Sequence, residues 1–319
     1  MTDMDSDPGT VSGASRAPES EAYEAFRAQL IGAGLLVGTG VDGLYGKSAR
    51  YESVVGALDG LITKTMVDQP AEELAFPPVM ARWVFDKTDY LKSFPDLMGS
   101  IHTFRGTDRQ HAELISRATS GGDWPACLVP AEVVLCSATC HPVYPLCTGT
   151  LPEGGRRFEV NGYCFRCEPS IDPVRMQAFR MHEYVYVGDP ETAQKHRDSG
   201  LERGMDLLGR LGLAVEAVPA NDPFFGRLGT MLAANQRDEA LKMEIVTPVC
   251  STERPTAIMS ANCHRDHFGT PFEIRDASGG TAHSACVAFG VDRVTLALLR
   301  NHGLDPSGWP SSVRELLWQ

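Results

Sequence analysis

Three β-type runs stand close together near the C-terminus: KMEIVTPV from Lys242, PTAIMSANC from Pro255 and HSACVAFG from His283. The last passes directly into VDRVTLALLRNHGL, an apolar run with helical spacing. Upstream, RRFEVNGYCFRCEPS alternates as a strand does, VVL at Val133–Leu135 opens on two β-branched residues, and AVEAVPAND predicts a further strand. Helical spacing recurs in ESEAYEAFRAQLIGAGLL (Glu19 to Leu36), in YESVVGALDGLITKTM from Tyr51, in RQHAELISRA and in the polar stretch from Pro190 to Leu211. PFFGRLGTMLAANQRDEAL predicts another helix, and AFPPVMARWVFDKTDYLKSFPDL an irregular entry with a short helix after Lys87. Strands mixed with helices in this way predict an α+β fold with a mainly antiparallel sheet.

Hydrophobic residues make up 43% of the 319, enough for a full core, and the formal net charge is −12. A nucleic-acid binder needs a concentrated basic face, and no Lys/Arg-rich run occurs. No apolar run reaches the ~20 residues that span a bilayer. The first 20 residues are acidic and rich in Ser, Gly and Pro, so they read as a disordered tail rather than a signal peptide. The expected location is cytoplasmic. The nine cysteines are then expected as thiols: buried, ligating or catalytic.

Two stretches carry chemistry. YCFRCEPSIDPVRMQAFRMHEYVYV places Arg166 and Glu168 two apart, so on a strand they share a face. A guanidinium grips phosphate through two parallel hydrogen bonds, a carboxylate beside it accepts from an amine, and Phe179 offers a ring for a purine. A cross-strand Arg–Glu pair with Phe179 in the core explains the same spacing. ACVAFGVDRVTLALL places Arg293 in the first turn of an apolar helix, where its charge joins outward-pointing N–H groups. Alone, that is an ordinary strand–helix junction with a solvated arginine.

Together, the Arg-x-Glu, loop, Phe pattern and the later Gly-x-Asp-Arg resemble motifs two and three of class II aminoacyl-tRNA synthetases. LKMEIVTP and PTAIMSANCHRDHF resemble the seryl-synthetase core. TCHPVYP, ANDPFFGR and ACVAFGVDR resemble bacterial amino acid:[carrier protein] ligases, seryl-synthetase-like proteins without a tRNA-binding domain. That resemblance implies one catalytic domain over residues 21–319. It implies that Arg166 holds the α-phosphate of ATP and Arg293 the γ-phosphate, with Phe179 on adenine. Glu168, Arg175, Met176, Lys242, Glu244, Ala257 and Ser260 belong to the same nucleotide site. Ala257 stands where seryl synthetases carry a magnesium-binding glutamate, so the Mg²⁺ count is open.

The resemblance also implies one Zn²⁺ held by Cys140, Glu183 and Cys286, with Glu183, Ser260 and Asn262 lining the amino-acid pocket. No local zinc spacing announces this set, and Cys136 or Cys147 remains a substitute for Cys140. His141, His264 and His267 are expected as hydrogen-bonded scaffold. The implied product is an aminoacyl group on the phosphopantetheine thiol of a carrier protein. Glycine or alanine is favoured as substrate, serine is the runner-up, and a homodimer is expected. Residues 21–124 show no sustained heptads and no basic stripe, which points away from tRNA. The carrier's dock is expected around 222–240, with Phe224, Phe225, Arg227, Met231 and Arg237. Lys195, Arg197 and Arg203 form the alternative.

Overall fold

The computed structural model describes residues 18–66, 69–220 and 241–318. Helix α1 (Pro18–Gly32) stops short of Leu36 because Gly34 takes a φ of +65°, which ends a helix and suits glycine. Strands β1 (Leu36–Gly38) and β2 (Tyr45–Lys47) form an antiparallel ribbon. Helix α2 (Ala49–Met66) buries Tyr51, Val54, Val55, Leu58, Leu61 and Ile62, one stripe at helical spacing.

After β3 (Glu72–Leu74) and β4 (Val79–Ala81), the proline-rich stretch holds two short helices, α3 (Arg82–Lys87) and α4 (Tyr90–Ser93), where one was expected. β5 (Ser100–Thr103) follows. α5 (Asp108–Thr119) starts at a capping box of Thr107 and Gln110 and buries no residue. β6 (Val129–Leu135) pairs with β4 and β5 in a three-stranded sheet.

The remaining elements are β7 (Gly149–Thr150), β8 (Arg156–Phe165), β9 (Ala178–Gly188), α6 (Pro190–Arg210), β10 (Glu216–Pro219), β11 (Lys242–Thr247), β12 (Thr256–Arg265), β13 (Ile274–Arg275), β14 (His283–Gly290), α7 (Val291–His302) and α8 (Ser311–Trp318). The main sheet runs β10-β11-β12-β14-β9-β8-β3, and every pair is antiparallel except β3 with β8. The architecture is the expected α+β fold with a mainly antiparallel sheet.

α6 lies against β12 and β14. A side chain at Gly200 would come within 2.3 Å of Val287 Cγ2, and one at Gly204 within 2.2 Å of Met259 Sδ, so these glycines set the helix-to-sheet distance. Val287, Met259 and Phe289 point toward this helical layer. Because side chains alternate, their sequence neighbours point to the other face.

Candidate active site

Strand register gathers the site on that other face. Glu183 on β9 stands opposite Ala288, and Val185 opposite Cys286. Cys286 in turn stands opposite Asn262, and Ala288 opposite Ser260. Lys242 and Glu244 on β11 continue the row opposite Asn262 and Ser260. Opposed residues share a face, and so do residues two or four apart on one strand. Glu183, Cys286, Ser260, Asn262, Lys242, Glu244 and Phe179 therefore project to one side of four adjacent strands.

Cys140 arrives from outside the sheet, at the start of the 3₁₀ turn His141–Cys147. The ligand atoms of Cys140, Glu183 and Cys286 all lie within 4.8 Å of one another, and all three residues are buried. Cys136 and Cys147, the open alternatives, sit elsewhere: Cys136 donates its thiol to the Ala138 carbonyl at 3.0 Å, and Cys147 is packed near Arg156 and Glu72. Two thiols and a carboxylate suit zinc, whose tetrahedral bonds of ~2.0–2.3 Å bring ligand atoms to roughly 3.3–3.8 Å of one another. The cluster fits that ion.

Its electrostatics are those of a buried cluster. Burial, and then the charge of Cys286, push the Glu183 carboxyl up to about 7, against hydrogen bonds from Thr139 and Cys140. The Cys140 thiol hydrogen-bonds Cys286, so Cys286 is drawn well below the ordinary thiol range while Cys140 rises above it. Asn262 Nδ2 lies 3.5 Å and His264 Nε2 3.6 Å from Cys286 Sγ. His264 Nδ1 meets the Ser284 hydroxyl at 3.2 Å. The scaffold expectation thus describes His264, which braces a pocket residue directly. Burial holds His141 neutral, at about 3, with His264, Arg166 and His267 adding to the effect. Thr139 was missed by sequence reasoning: a threonine beside a cysteine carries no periodic signal.

Arg166 and Glu168 require a correction. β8 ends at Phe165, so they do not share a strand face. The Arg166 N–H still donates to the Gln177 carbonyl at 2.8 Å, but the Glu168 N–H turns back onto the Arg166 carbonyl at 2.7 Å. Arg166 lays its guanidinium over the buried Phe179 ring, 5.5 Å from the centroid. Arg175 Nη1 donates to Glu168 Oε2 at 3.1 Å, and Lys242 Nζ lies 3.1 Å from Glu244 Oε1. Met176 is buried in the loop between β8 and β9, and Ala257 is half-buried on β12.

Arg293 donates from Nε to the Val174 carbonyl at 3.1 Å and from Nη1 to the Ala257 carbonyl at 3.0 Å. Burial, then the charges of Arg166 and Arg175, lower its pKa to about 10, offset by Glu168 and Glu244. Guanidiniums from segments far apart in sequence thus crowd one spot, where an anion relieves the repulsion.

No family model matches the sequence. Amino acid–[acyl-carrier-protein] ligase 1 of Bradyrhizobium diazoefficiens is 47% identical over 280 residues, 87% of this chain and 86% of the relative. Ligase 2 of the same organism is 44% identical over 280 residues, 87% of this chain and 84% of the relative. The chain belongs to the amino acid–[acyl-carrier-protein] ligase family. The ligase core also resembles a type-2 serine–tRNA ligase of Methanopyrus kandleri, at 29% identity over 200 residues, 57% of this chain and 37% of that one. Among solved structures, M. kandleri SerRS in complex with A. aeolicus tRNASec superposes with a TM-score of 0.77 at 23% identity, covering 97% of this ligase and 61% of that chain. Pyrococcus horikoshii seryl-tRNA synthetase complexed with ATP gives 0.64 at 13%, covering 88% and 58%. The ligase therefore has the class II synthetase fold and spans about three fifths of these synthetases.

The expected dock residues Phe224, Phe225, Arg227, Met231 and Arg237 lie outside the described residues. In the alternative dock, Arg197 is buried and ion-paired to Asp198 at 2.9 Å, so it does not belong to a solvent face. Among the described residues no helix is long and apolar enough to cross a membrane.

Proposed function

We propose that this ligase activates a small amino acid with ATP and Mg²⁺ and passes it to the phosphopantetheine thiol of a carrier protein. The observation that carries the reading is the meeting of Cys140 with Glu183 and Cys286 over the sheet face that also carries Phe179, with Arg166 laid on that ring and Arg293 buried under the charge of Arg166.

Cys140, Glu183 and Cys286 would hold one Zn²⁺. That ion would supply Lewis acidity toward the substrate's neutral α-amine. Asn262, bonded to both Ser260 and Cys286, occupies the space beside that set, which favours glycine or alanine over larger side chains. The amino acid's carboxylate oxygen attacks the α-phosphorus. The bond to the bridging oxygen breaks, and pyrophosphate leaves. Arg166 opposes charge on the α-phosphate and Arg293 on the γ-phosphate, with adenine against Phe179. Glu168, Arg175, Met176, Lys242, Glu244, Ala257 and Ser260 complete the nucleotide site. In the second step the carrier's thiolate attacks the carbonyl carbon, the bond to AMP breaks, and a thioester forms. The reading includes a homodimer, a docking region at 222–240 and no role for tRNA.

The test is amino-acid-dependent exchange of pyrophosphate into ATP across the twenty amino acids, with metal quantified on the same sample. Transfer of label is then compared between total tRNA and phosphopantetheinylated carrier. Exchange with glycine or alanine and label on the carrier are expected. Label on tRNA alone overturns the reading.

A further inference from the structure

Behind the nucleotide residues lies a buried ionic cluster whose centre, Asp292, is 1% exposed. Its Oδ1 is 2.9 Å from Lys47 Nζ and 2.8 Å from Arg180 Nη2, and accepts from the Tyr51 hydroxyl at 3.1 Å. Its Oδ2 accepts the Arg180 backbone N–H at 2.7 Å. Arg180 also pairs with Glu52. Lys47 has 6% of its side chain exposed and rests over the rings of Tyr51 and Tyr163.

The sequence positions matter. Arg180 directly follows Phe179, and Asp292 directly precedes Arg293. One carboxylate thus ties the start of β9 to the first turn of α7, next to a nucleotide residue on each. Lys47 and Tyr51 grip the same carboxylate from the N-terminal segment. Buried ion pairs stabilise little compared with apolar packing of the same volume. What this one supplies is a set distance between Phe179 and Arg293. Small misplacements of charge-stabilising groups cost rate steeply.

We infer that Lys47, acting through Asp292, is a positioning residue for Arg293 and Phe179. The inference rests on the nucleotide-site reading above. Lys47 is held by Asp292 and the rings of Tyr51 and Tyr163, none of them assigned to ATP, so its removal probes the spacing.

The experiment compares wild type, Lys47→Met, Arg293→Lys and the double variant in pyrophosphate exchange and in ATP affinity by calorimetry, with metal content as a control. Lys47→Met is expected to keep its metal and its KM for the amino acid, and to lose ~10-fold in kcat/KM for ATP. Lys47→Arg is expected to recover most of that loss. In the Arg293→Lys background Lys47→Met is expected to add less than ~2-fold, because the two act as a unit. Should Lys47→Met fail to fold, Tyr51→Phe removes only one bond to Asp292 and is expected to lose ~3-fold in the same parameter. Unchanged ATP parameters with a lowered melting temperature, or effects that multiply in full, overturn the inference. A wild type that binds ATP without exchange removes the activation reading alone, and the coupling is then read in ATP affinity. A wild type that does not bind ATP overturns both.

Discussion

Thr139 holds Glu183 twice: its backbone N–H donates to Glu183 Oε1 at 2.8 Å and its hydroxyl donates to the same oxygen at 2.6 Å. With the Cys140 N–H at 3.3 Å, three donors converge on one carboxylate oxygen. The carboxylate is therefore aimed before any ligand arrives. Thr139→Val keeps the shape and removes the hydroxyl. The expected result is a ~10–100-fold weaker hold on zinc, read by competition with a chromophoric chelator.

Removing a ligand goes further. If the proposed zinc is bound, Cys286→Ala is expected to bring it below stoichiometry and to abolish pyrophosphate exchange together. Elemental analysis and exchange on one preparation check this, and a zinc-free variant with wild-type exchange takes the ion out of the reaction.

In the proposed mechanism, Arg293→Ala removes a fixed positive charge from the place where charge grows as pyrophosphate leaves. A loss of ~100–1,000-fold in the exchange rate is expected at saturating ATP. Arg293→Lys is expected to recover only part, because an ammonium cannot reproduce two bonds aimed at separate carbonyls. Steady-state kinetics of both variants decide it.

Acid stability follows from Asp292. Burial raises its pKa, but Lys47 and Arg180 outweigh burial and hold it below the ordinary carboxylate value. The unfolded chain therefore binds the proton first as pH falls. The stabilisation is complete above ~pH 4, the unfolded value, and disappears as pH drops through the lower folded value. Asp292→Asn is expected to cost about 3–5 kcal/mol at pH 7, where it leaves two buried cations short of a partner. The gap between variant and wild type is expected to narrow below ~pH 4. Urea titrations at pH 7 and pH 3 measure both, and a gap independent of pH refutes the assignment.

Packing gives a separate test. Gly200→Val puts methyls where Val287 Cγ2 already sits, only 2.3 Å from the new Cβ. The helix has to lift from the sheet, so a loss of about 1–3 kcal/mol is expected in urea unfolding. Substitution at Gly209, which meets nothing within 4 Å, is the matched control.

Much of this architecture is legible in the residues. The runs at Lys242, Pro255 and His283 are strands because β-branched and small apolar residues sit there in short bounded blocks, and α7 begins where the helical period takes over. Motif order singled out Arg166, Phe179 and Arg293, and the fold brings Arg166 onto the Phe179 ring and near Arg293. The convergence of Cys140, Glu183 and Cys286 was readable only through resemblance, since strand register and the turn at Cys140, not local spacing, bring them together. The strand reading failed at Arg166 because alternation continues in the sequence after the ladder has stopped. Nothing local marked Lys47 or Thr139: each matters through a partner that only the fold brings near.

The order in which the strands are made has a consequence for the living cell. β14, which carries Cys286, is the last strand of the main sheet to leave the ribosome, yet it lies between β12 and β9. Until β14 is made, β12 and β9 lack the strand that joins them, and Cys286 arrives with it. A metal site built from Cys140, Glu183 and Cys286 would therefore be completed only once β14 is made, and a prematurely terminated chain would lack it.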